Sequence, residues 1–205
     1  MRMKLALTVA CAVFLGTTLT VAQSKTTVYG TVHDVGGTGC ASCHVPHQQS
    51  AAGRTLLWSR AFSTQTFGTY TSPTMQSVPA EIGSATYGPT NPPTGALQAS
   101  VLCMSCHDGV TSTAIIPAGS AAAVGNPTTS SGLQNDHPIN MVYPTTDPGL
   151  RAQATIPAAI VLYDNGTGNT VQCGSCHNPH SNALDPFLRI ANLNTGAGLC
   201  AACHL

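Results

Sequence analysis

The chain has very few charged residues. Seven basic and seven acidic side chains make up 7% of 205 residues, and the formal net charge is zero. Basic residues that are so few and so widely spread cannot form the clustered positive surface with which proteins bind nucleic-acid phosphates. A ring of lysines for docking to an acidic partner is disfavoured for the same reason. The composition therefore excludes an electrostatic nucleic-acid binder.

Long apolar runs are also missing, apart from one at the start of the chain. Arg2 and Lys4 precede an apolar stretch at residues 5–21, and the small residues Thr20-Val21-Ala22 resemble a cleavage site. This order predicts an export signal at residues 1–22. A membrane anchor is the alternative, but the stretch contains four Thr and lacks a flanking stop-transfer charge cluster. No other segment of the sequence is expected to span a bilayer.

The predicted mature chain contains no isolated cysteine. Of the nine cysteines, Cys11 lies in the export signal, where the surrounding apolar run argues against a lipoprotein site. An even number of eight cysteines in an exported protein normally suggests four disulfides. Their spacing indicates something else, because all eight belong to four C-x-x-C-H motifs. These are motif 1 (Cys40, Cys43, His44), motif 2 (Cys103, Cys106, His107), motif 3 (Cys173, Cys176, His177) and motif 4 (Cys200, Cys203, His204).

The C-x-x-C-H spacing is the signature of covalent attachment of c-type haem. Each cysteine adds through sulfur to one haem vinyl group, and the histidine that follows binds the iron as the proximal ligand. A zinc ribbon has no need for a histidine after every cysteine pair. A thioredoxin-like thiol motif occurs once, in a βαβ setting, and not four times in loop-like sequence. The sequence therefore predicts four covalently bound haem c groups.

The histidine count predicts the remaining axial ligands. Four of the eight histidines are proximal, which leaves one spare imidazole for each remaining iron position: His33, His47, His137 and His180. A single spare histidine would more often be a surface or packing residue, but the match of four to four favours bis-histidine ligation. Met75, Met104 and Met141 are the competing thioether ligands. Met104 lies inside motif 2 and cannot reach the far face of that haem.

His47 and His180 each follow a proximal histidine by three residues, in the pattern C-H-x-P-H. A residue so close to the proximal ligand cannot reach the opposite face of the same porphyrin, but it can reach a neighbouring haem. We therefore expect His47 to ligate the haem of motif 2 and His180 that of motif 4. His33 and His137 are then left for motifs 1 and 3 in either order. A further hypothesis is that His33 ligates a haem of an adjacent protomer.

The order of these motifs repeats along the chain. The predicted single domain, residues 23–205, consists of two dihaem repeats at about 30–110 and 135–205, with an insertion between Ser50 and Ser100. Residues 108–136 and 144–170 show no helical or strand period. The expected fold is a multihaem cytochrome of mostly irregular chain around a stacked haem core, with short helices carrying the motifs and little β-structure. One hairpin is expected around Asp164-Asn165-Gly166.

The doubled C-x-x-C-H arrangement, the C-H-x-P-H element and Asp136-His137-Pro138-Ile139 resemble the multihaem cytochromes of metal-reducing bacteria. The size and low charge are most similar to the tetrahaem extracellular nanowire cytochromes, the OmcE-like group. The resemblance implies electron transfer through a continuous haem chain, an extracellular or cell-surface location, and a homopolymer in which an axial histidine is exchanged between protomers. Its partners would be other redox proteins or extracellular electron acceptors.

Two alternatives remain open from the sequence. One is a monomeric tetrahaem carrier in the periplasm or on the outer surface. The other is a multihaem reductase, which would need an open iron position for its substrate. One spare histidine per haem makes such a position unnecessary, and no cluster of Lys and Arg is present to bind an anionic substrate. An electron-transfer protein without catalytic residues is therefore predicted.

Overall fold

The structure, a computed structural model, describes residues 28–45, 56–83, 87, 93–124, 132–191 and 198–205. These ranges contain all four C-x-x-C-H motifs and three of the four candidate distal histidines. The predicted export signal at residues 1–22 and the predicted ligand His47 lie outside the described residues.

The helices of the described chain are short, as expected for a sequence with frequent Gly, Pro, Ser and Thr. The longer of the two α-helices is α1 (Gln98–His107), which carries motif 2, and α2 (Cys173–Cys176) forms most of motif 3. The 3-10 turns are Val35–Gly37, Gly39–Ser42, Gly95–Leu97, Gln153–Thr155 and Cys200–Ala202. Motifs 1 and 4 lie on the second and the last of these turns. The prediction that short helices carry the motifs is confirmed.

The strands form two small antiparallel sheets. In the first, β1 (Thr66–Phe67) pairs with β2 (Ile82–Gly83). In the second, the order is β3 (Met141–Val142), β5 (Asn169–Val171) and β4 (Tyr163–Asp164). The turn between β4 and β5 is the predicted hairpin, in which Gly166 has a φ of 86° and donates its amide to Asp164 Oδ1 at 2.8 Å. The prediction of a mostly irregular chain with little β-structure is confirmed.

One apolar cluster lies between α1 and the first sheet. Its buried members are Phe62, Phe67, Ile82, Tyr87, Val101, Leu102, Met104 and Leu133. Three of them are aromatic residues of the insertion in the first repeat, which therefore contributes a conventional core next to motif 2. Met104 is fully buried in this cluster, in agreement with its exclusion as a ligand of its own motif.

A buried polar network joins the two repeats. Ser100 on α1 donates its hydroxyl to Gln172 Oε1 at 2.6 Å and accepts the amide of Cys173 at 2.9 Å. Gln172 donates in turn to Asn140 Oδ1 and to Thr170 Oγ1, both at 3.0 Å. Ser100 and Gln172 are fully buried, and such groups stay there only when their hydrogen bonds are satisfied. The network fixes α1 against α2 and thus motif 2 against motif 3.

Candidate haem-binding sites

Each motif folds as a tight turn that brings its histidine back over the first cysteine. The histidine amide donates to the carbonyl of that cysteine at 2.9 Å in motif 1, 3.0 Å in motif 3 and 2.8 Å in motif 4. In motif 2 the last turn of α1 has the same role. None of the eight motif cysteines, all of which lie in the described ranges, is paired in a disulfide. Two thiols and one imidazole are therefore presented together, as attachment to one porphyrin requires.

The rings of three proximal histidines are held by backbone carbonyls. Nδ1 of His44 lies 2.8 Å from Leu56 O, that of His107 lies 2.7 Å from Ala122 O, and that of His177 lies 3.0 Å from Pro186 O. A carbonyl can only accept, so Nδ1 carries the proton and Nε2 is the unprotonated nitrogen that can bind a metal. This hydrogen bond is the usual device that orients a ligating imidazole and raises its basicity.

Three pairs of histidine rings lie at a nearly constant distance from each other. The ring centroids are 6.3 Å apart for His33 and His107, 6.4 Å for His44 and His180, and 6.3 Å for His137 and His204. An imidazole nitrogen binds a transition-metal ion at about 2 Å and the ring centroid lies roughly 1 Å beyond it, so imidazoles on opposite sides of one iron have centroids about 6 Å apart. The observed separations match this value. The residues therefore fit bis-histidine haem iron at motifs 2, 1 and 4.

Burial keeps two of the candidate distal histidines in the form that binds metals. It lowers the pKa of His33, with smaller contributions from His107 and other nearby histidines. It also lowers the pKa of His137, to which His204 adds, although a hydrogen bond to the Pro138 carbonyl opposes the shift. Only the neutral imidazole has a lone pair for a metal. Both side chains are thus prepared to act as ligands near neutral pH.

The structure places His180 beside motif 1. The C-H-x-P-H spacing predicts that it serves the haem of motif 4, whereas its ring centroid lies 6.4 Å from that of His44 in motif 1. The reason is a tight turn after motif 3, in which Asn178 accepts the amide of His180 on its side chain at 3.1 Å and the amide of Ser181 on its carbonyl at 3.0 Å. This turn directs the imidazole towards the first repeat. His180 therefore lies near a motif of the first predicted repeat and not near motif 4.

His33 and His137 are also placed differently from the expectation. They were allotted to motifs 1 and 3, but each lies opposite the second motif of its own repeat, His33 at His107 and His137 at His204. The two histidines thus have equivalent placements in the two predicted repeats. Exchange of His33 between protomers is a hypothesis that rests on its place in a glycine-tethered arm near the start of the mature chain. Within the chain His33 already faces a proximal histidine, so exchange is not needed to complete that pair.

The cysteines show which motifs are neighbours. Cys103 and Cys173 lie close together, and their interaction raises the pKa of Cys103 and lowers that of Cys173. Burial raises the pKa of Cys43, and the nearby Cys106 adds to the effect. Burial likewise raises the pKa of Cys176 to about 11, with Cys203 of motif 4 as the next contributor. Motif 1 therefore lies near motif 2, motif 2 near motif 3, and motif 3 near motif 4.

Three arginines that the sequence analysis passed over brace three of the motifs. Each donates its Nε at 2.7 Å to a carbonyl between the two cysteines of a motif: Arg60 to Ser42 O, Arg189 to Gly174 O, and Arg151 to Ala201 O. In each case a neighbouring residue forms an antiparallel bridge with the proximal histidine: Trp58 with His44, Leu188 with His177, and Leu150 with His204. The sequence contains one signal for these contacts, which is a large apolar residue shortly before an arginine. It occurs in Trp58-Ser59-Arg60, Leu150-Arg151 and Leu188-Arg189.

The angles between paired rings predict two kinds of electron paramagnetic resonance signal. The rings of His44 and His180 are nearly parallel, at 13°, whereas those of His137 and His204 are nearly perpendicular, at 79°. Parallel imidazoles split the two iron orbitals with which they interact, and perpendicular ones leave them almost equal in energy. Spectra of the frozen oxidised protein should contain both a rhombic low-spin signal and a signal with one large g value. A single uniform rhombic signal would contradict this geometry.

One comparison with known proteins bears on the second half of the chain. The family model described as the doubled CXXCH motif matches residues 167–205, which include motifs 3 and 4. No curated protein matches the chain. Within the described ranges, none of the helices is long and apolar enough to cross a membrane. The CXXCH motifs indicate covalent haem c binding, and the family match supports a multihaem c-type cytochrome whose role is haem-based electron transfer.

Proposed function

We propose that this chain is an electron-transfer protein that binds four c-type haems, each with two axial histidines. The observation that carries the proposal is the set of three facing imidazole pairs, 6.3–6.4 Å apart, each containing the histidine of a C-x-x-C-H motif. Motif 3 has the same residues and the same Nδ1 hydrogen bond. His47, outside the described residues, is the spare histidine that remains for motif 3. His47 of the first repeat would then serve motif 3, as His180 of the second repeat would serve motif 1. Each C-H-x-P-H histidine would thus serve the first motif of the other repeat.

The protein's side chains have two tasks in this function. The cysteine thiols would hold the haem covalently, and the proximal and distal histidines would hold its iron. A haem held in this way supplies reversible one-electron chemistry between the ferric and ferrous states. Because two imidazoles would fill both axial positions, no substrate can reach the iron without displacing a ligand. The arrangement therefore favours electron transfer over reduction of a bound substrate.

The order of the motifs in space favours transfer along a line. Cys43 lies near Cys106, Cys103 contacts Cys173, and Cys176 lies near Cys203. Motifs 1 and 4 are therefore the ends of the series, and motifs 2 and 3 form its middle, joined by the buried hydrogen bonds between α1 and α2. In this proposal electrons enter at one end and leave at the other. The partners are other redox proteins or extracellular electron acceptors.

Assembly into an extracellular filament is the finer form of the proposal. Its support is the low charge of the chain, which gives neighbouring protomers little reason to repel one another. Since His33 faces His107 of its own chain, filaments would be held by contacts between protomers and not by exchange of this ligand. Negative-stain microscopy of the secreted fraction distinguishes filaments from single particles, and particles alone would favour the monomeric carrier.

Redox titration combined with carbon monoxide binding tests the proposed function. Bis-histidine ligation places haem potentials at the low end of the range of about 0.8 V that axial ligands span. The purified protein should be fully and reversibly reduced at low potential, and all its haems should be low-spin. The reduced protein should bind carbon monoxide poorly, because a distal imidazole must first leave the iron. Rapid binding of one carbon monoxide per haem, or an absorption band typical of methionine ligation, would contradict the proposal.

A further inference from the structure

The basic residues of the described chain all donate hydrogen bonds to C-x-x-C-H motifs. Within residues 28–45, 56–83, 87, 93–124, 132–191 and 198–205, the arginines and lysines are Arg60, Arg151 and Arg189, and each braces a different motif. Their Nε atoms are fixed at 2.7 Å from carbonyls between the two cysteines, and all three side chains are half-buried. A guanidinium is always charged. Each of motifs 1, 4 and 3 therefore has a fixed positive charge beside the thiols that bind its haem.

Among the described residues, motif 2 has an aspartate beside it where the other three motifs each have an arginine. Asp108 directly follows His107 and is fully buried. Its side chain accepts three hydrogen bonds, from the amide of Val110 at 3.0 Å, from the amide of Thr111 at 2.8 Å and from the Thr111 hydroxyl. In all three of these hydrogen bonds the carboxyl group is the acceptor. The hydrogen bonds hold this group at the end of α1, next to the proximal histidine.

Other acidic residues lie near the braced motifs but are more open to water. Asp34 accepts the amide of Gly39 beside motif 1, Asp136 lies near Cys173, and Asp147 accepts the amide of Gly149 near motif 4. All three are partly exposed, whereas Asp108 is not. Solvent and salt weaken the field of an exposed charge far more than that of a buried one. Of these four acidic side chains, Asp108 is therefore the one whose field is weakened least by solvent.

Reduction of a haem lowers the charge on its iron by one. A nearby positive charge favours the reduced state and raises the midpoint potential, and a nearby negative charge favours the oxidised state and lowers it. We propose that Arg60, Arg151 and Arg189 each raise the potential of the haem on their own motif, and that Asp108 gives the haem of motif 2 the lowest potential of the four. This inference rests on the proposed function, since it requires a haem at each motif.

The test compares Arg151→Gln with Arg151→Lys in the complete, haem-loaded protein. Glutamine removes the charge and lysine retains it, so the pair separates charge from bracing. Individual midpoint potentials are measured by redox titration with the haem methyl resonances resolved by nuclear magnetic resonance. We expect Arg151→Gln to lower one potential of the four and Arg151→Lys to leave all four close to those of the parent. Arg60→Gln and Arg189→Gln should each lower a different one.

Asp108→Asn removes a negative charge and should therefore raise the lowest of the four midpoint potentials. The inference is overturned if the glutamine variants keep four haems with unchanged midpoint potentials. It is also overturned if Arg151→Lys lowers a midpoint potential as far as Arg151→Gln does. A third contrary result is that Asp108→Asn changes the midpoint potential of a haem other than the one with the lowest value. In each of these cases the parent still carries four bis-histidine haems and the proposed function stands. A parent without four haems would overturn both. If Asp108→Asn does not accumulate as folded protein, a chain with Cys103→Ala and Cys106→Ala decides its part: the lowest of the four parent potentials should be the one that disappears, and its persistence would overturn the inference.

Discussion

Replacement of Cys103 and Cys106 with alanine should reduce the haem content from four to three. The two thiols are the covalent links of motif 2, and without them the imidazoles of His33 and His107 alone would have to hold a haem. Such a haem is removed by acid–acetone extraction. Intact mass spectrometry of the variant should show a loss of one haem, and the visible absorption per chain should fall by about a quarter. The effect is large because attachment is all or none for each motif.

Met104→Leu is the matched control for this variant. Met104 lies between the two cysteines, yet its side chain is fully buried in the apolar cluster and not among the thiols. A methionine-to-leucine change in a core usually costs less than about 1.5 kcal/mol. The control should therefore retain four haems with unchanged spectra. Four covalent haems in the double alanine variant, or loss of a haem in the control, would show that motif 2 does not work as described.

Replacement of His180 with alanine should convert one low-spin haem into a five-coordinate, high-spin one. The reduced variant should bind about one carbon monoxide per chain, where the parent binds almost none, because a single iron loses its distal ligand. The affected haem should be that of motif 1, since His180 faces His44 at 6.4 Å. The measurement is a carbon monoxide titration followed by visible spectroscopy.

Cysteine variants identify the haem that His180 serves. In a chain that also carries Cys40→Ala and Cys43→Ala, the haem of motif 1 is absent, so His180→Ala should create no carbon monoxide site. In a chain that carries Cys200→Ala and Cys203→Ala, His180→Ala should still create one. The reverse pattern would restore the assignment of His180 to motif 4. His137→Ala is the complementary variant and should respond in the opposite way, since His137 faces His204.

The chemistry of the motifs could be predicted from the sequence because it depends only on local spacing. Cys, x, x, Cys and His lie within one turn of backbone, so their relation does not require knowledge of the fold. The hairpin was predictable for the same reason, since Asp164-Asn165-Gly166 supplies the side-chain acceptors and the positive φ that its turn needs. Repeated Gly, Pro, Ser and Thr correctly indicated a mostly irregular chain.

The pairing of distal histidines depends on the path of the chain and could not be predicted from spacing. The spacing predicts that His180 serves a haem other than that of motif 3, but the position of its imidazole depends on the turn at Asn178. The long-range contacts of Ser100 with Gln172 and Cys173 decide which motifs meet, and nothing in the local sequence announces them. The arginine contacts could not be predicted because an apolar residue followed closely by arginine is a common sequence pattern. It becomes informative only when the segments that contact motifs 1, 3 and 4 are compared with one another.

The intact mass of the purified mature protein is the most direct measurement of the central claim. Each C-x-x-C-H motif is proposed to hold one haem through two thioether bonds, and all eight cysteines of these motifs are otherwise free. The measured mass should equal that of the chain from near Gln23 plus four haems, and should be unchanged after acid–acetone treatment. A mass that corresponds to the bare chain, with its cysteines in four disulfides or its haem extracted by the acid, would contradict the account.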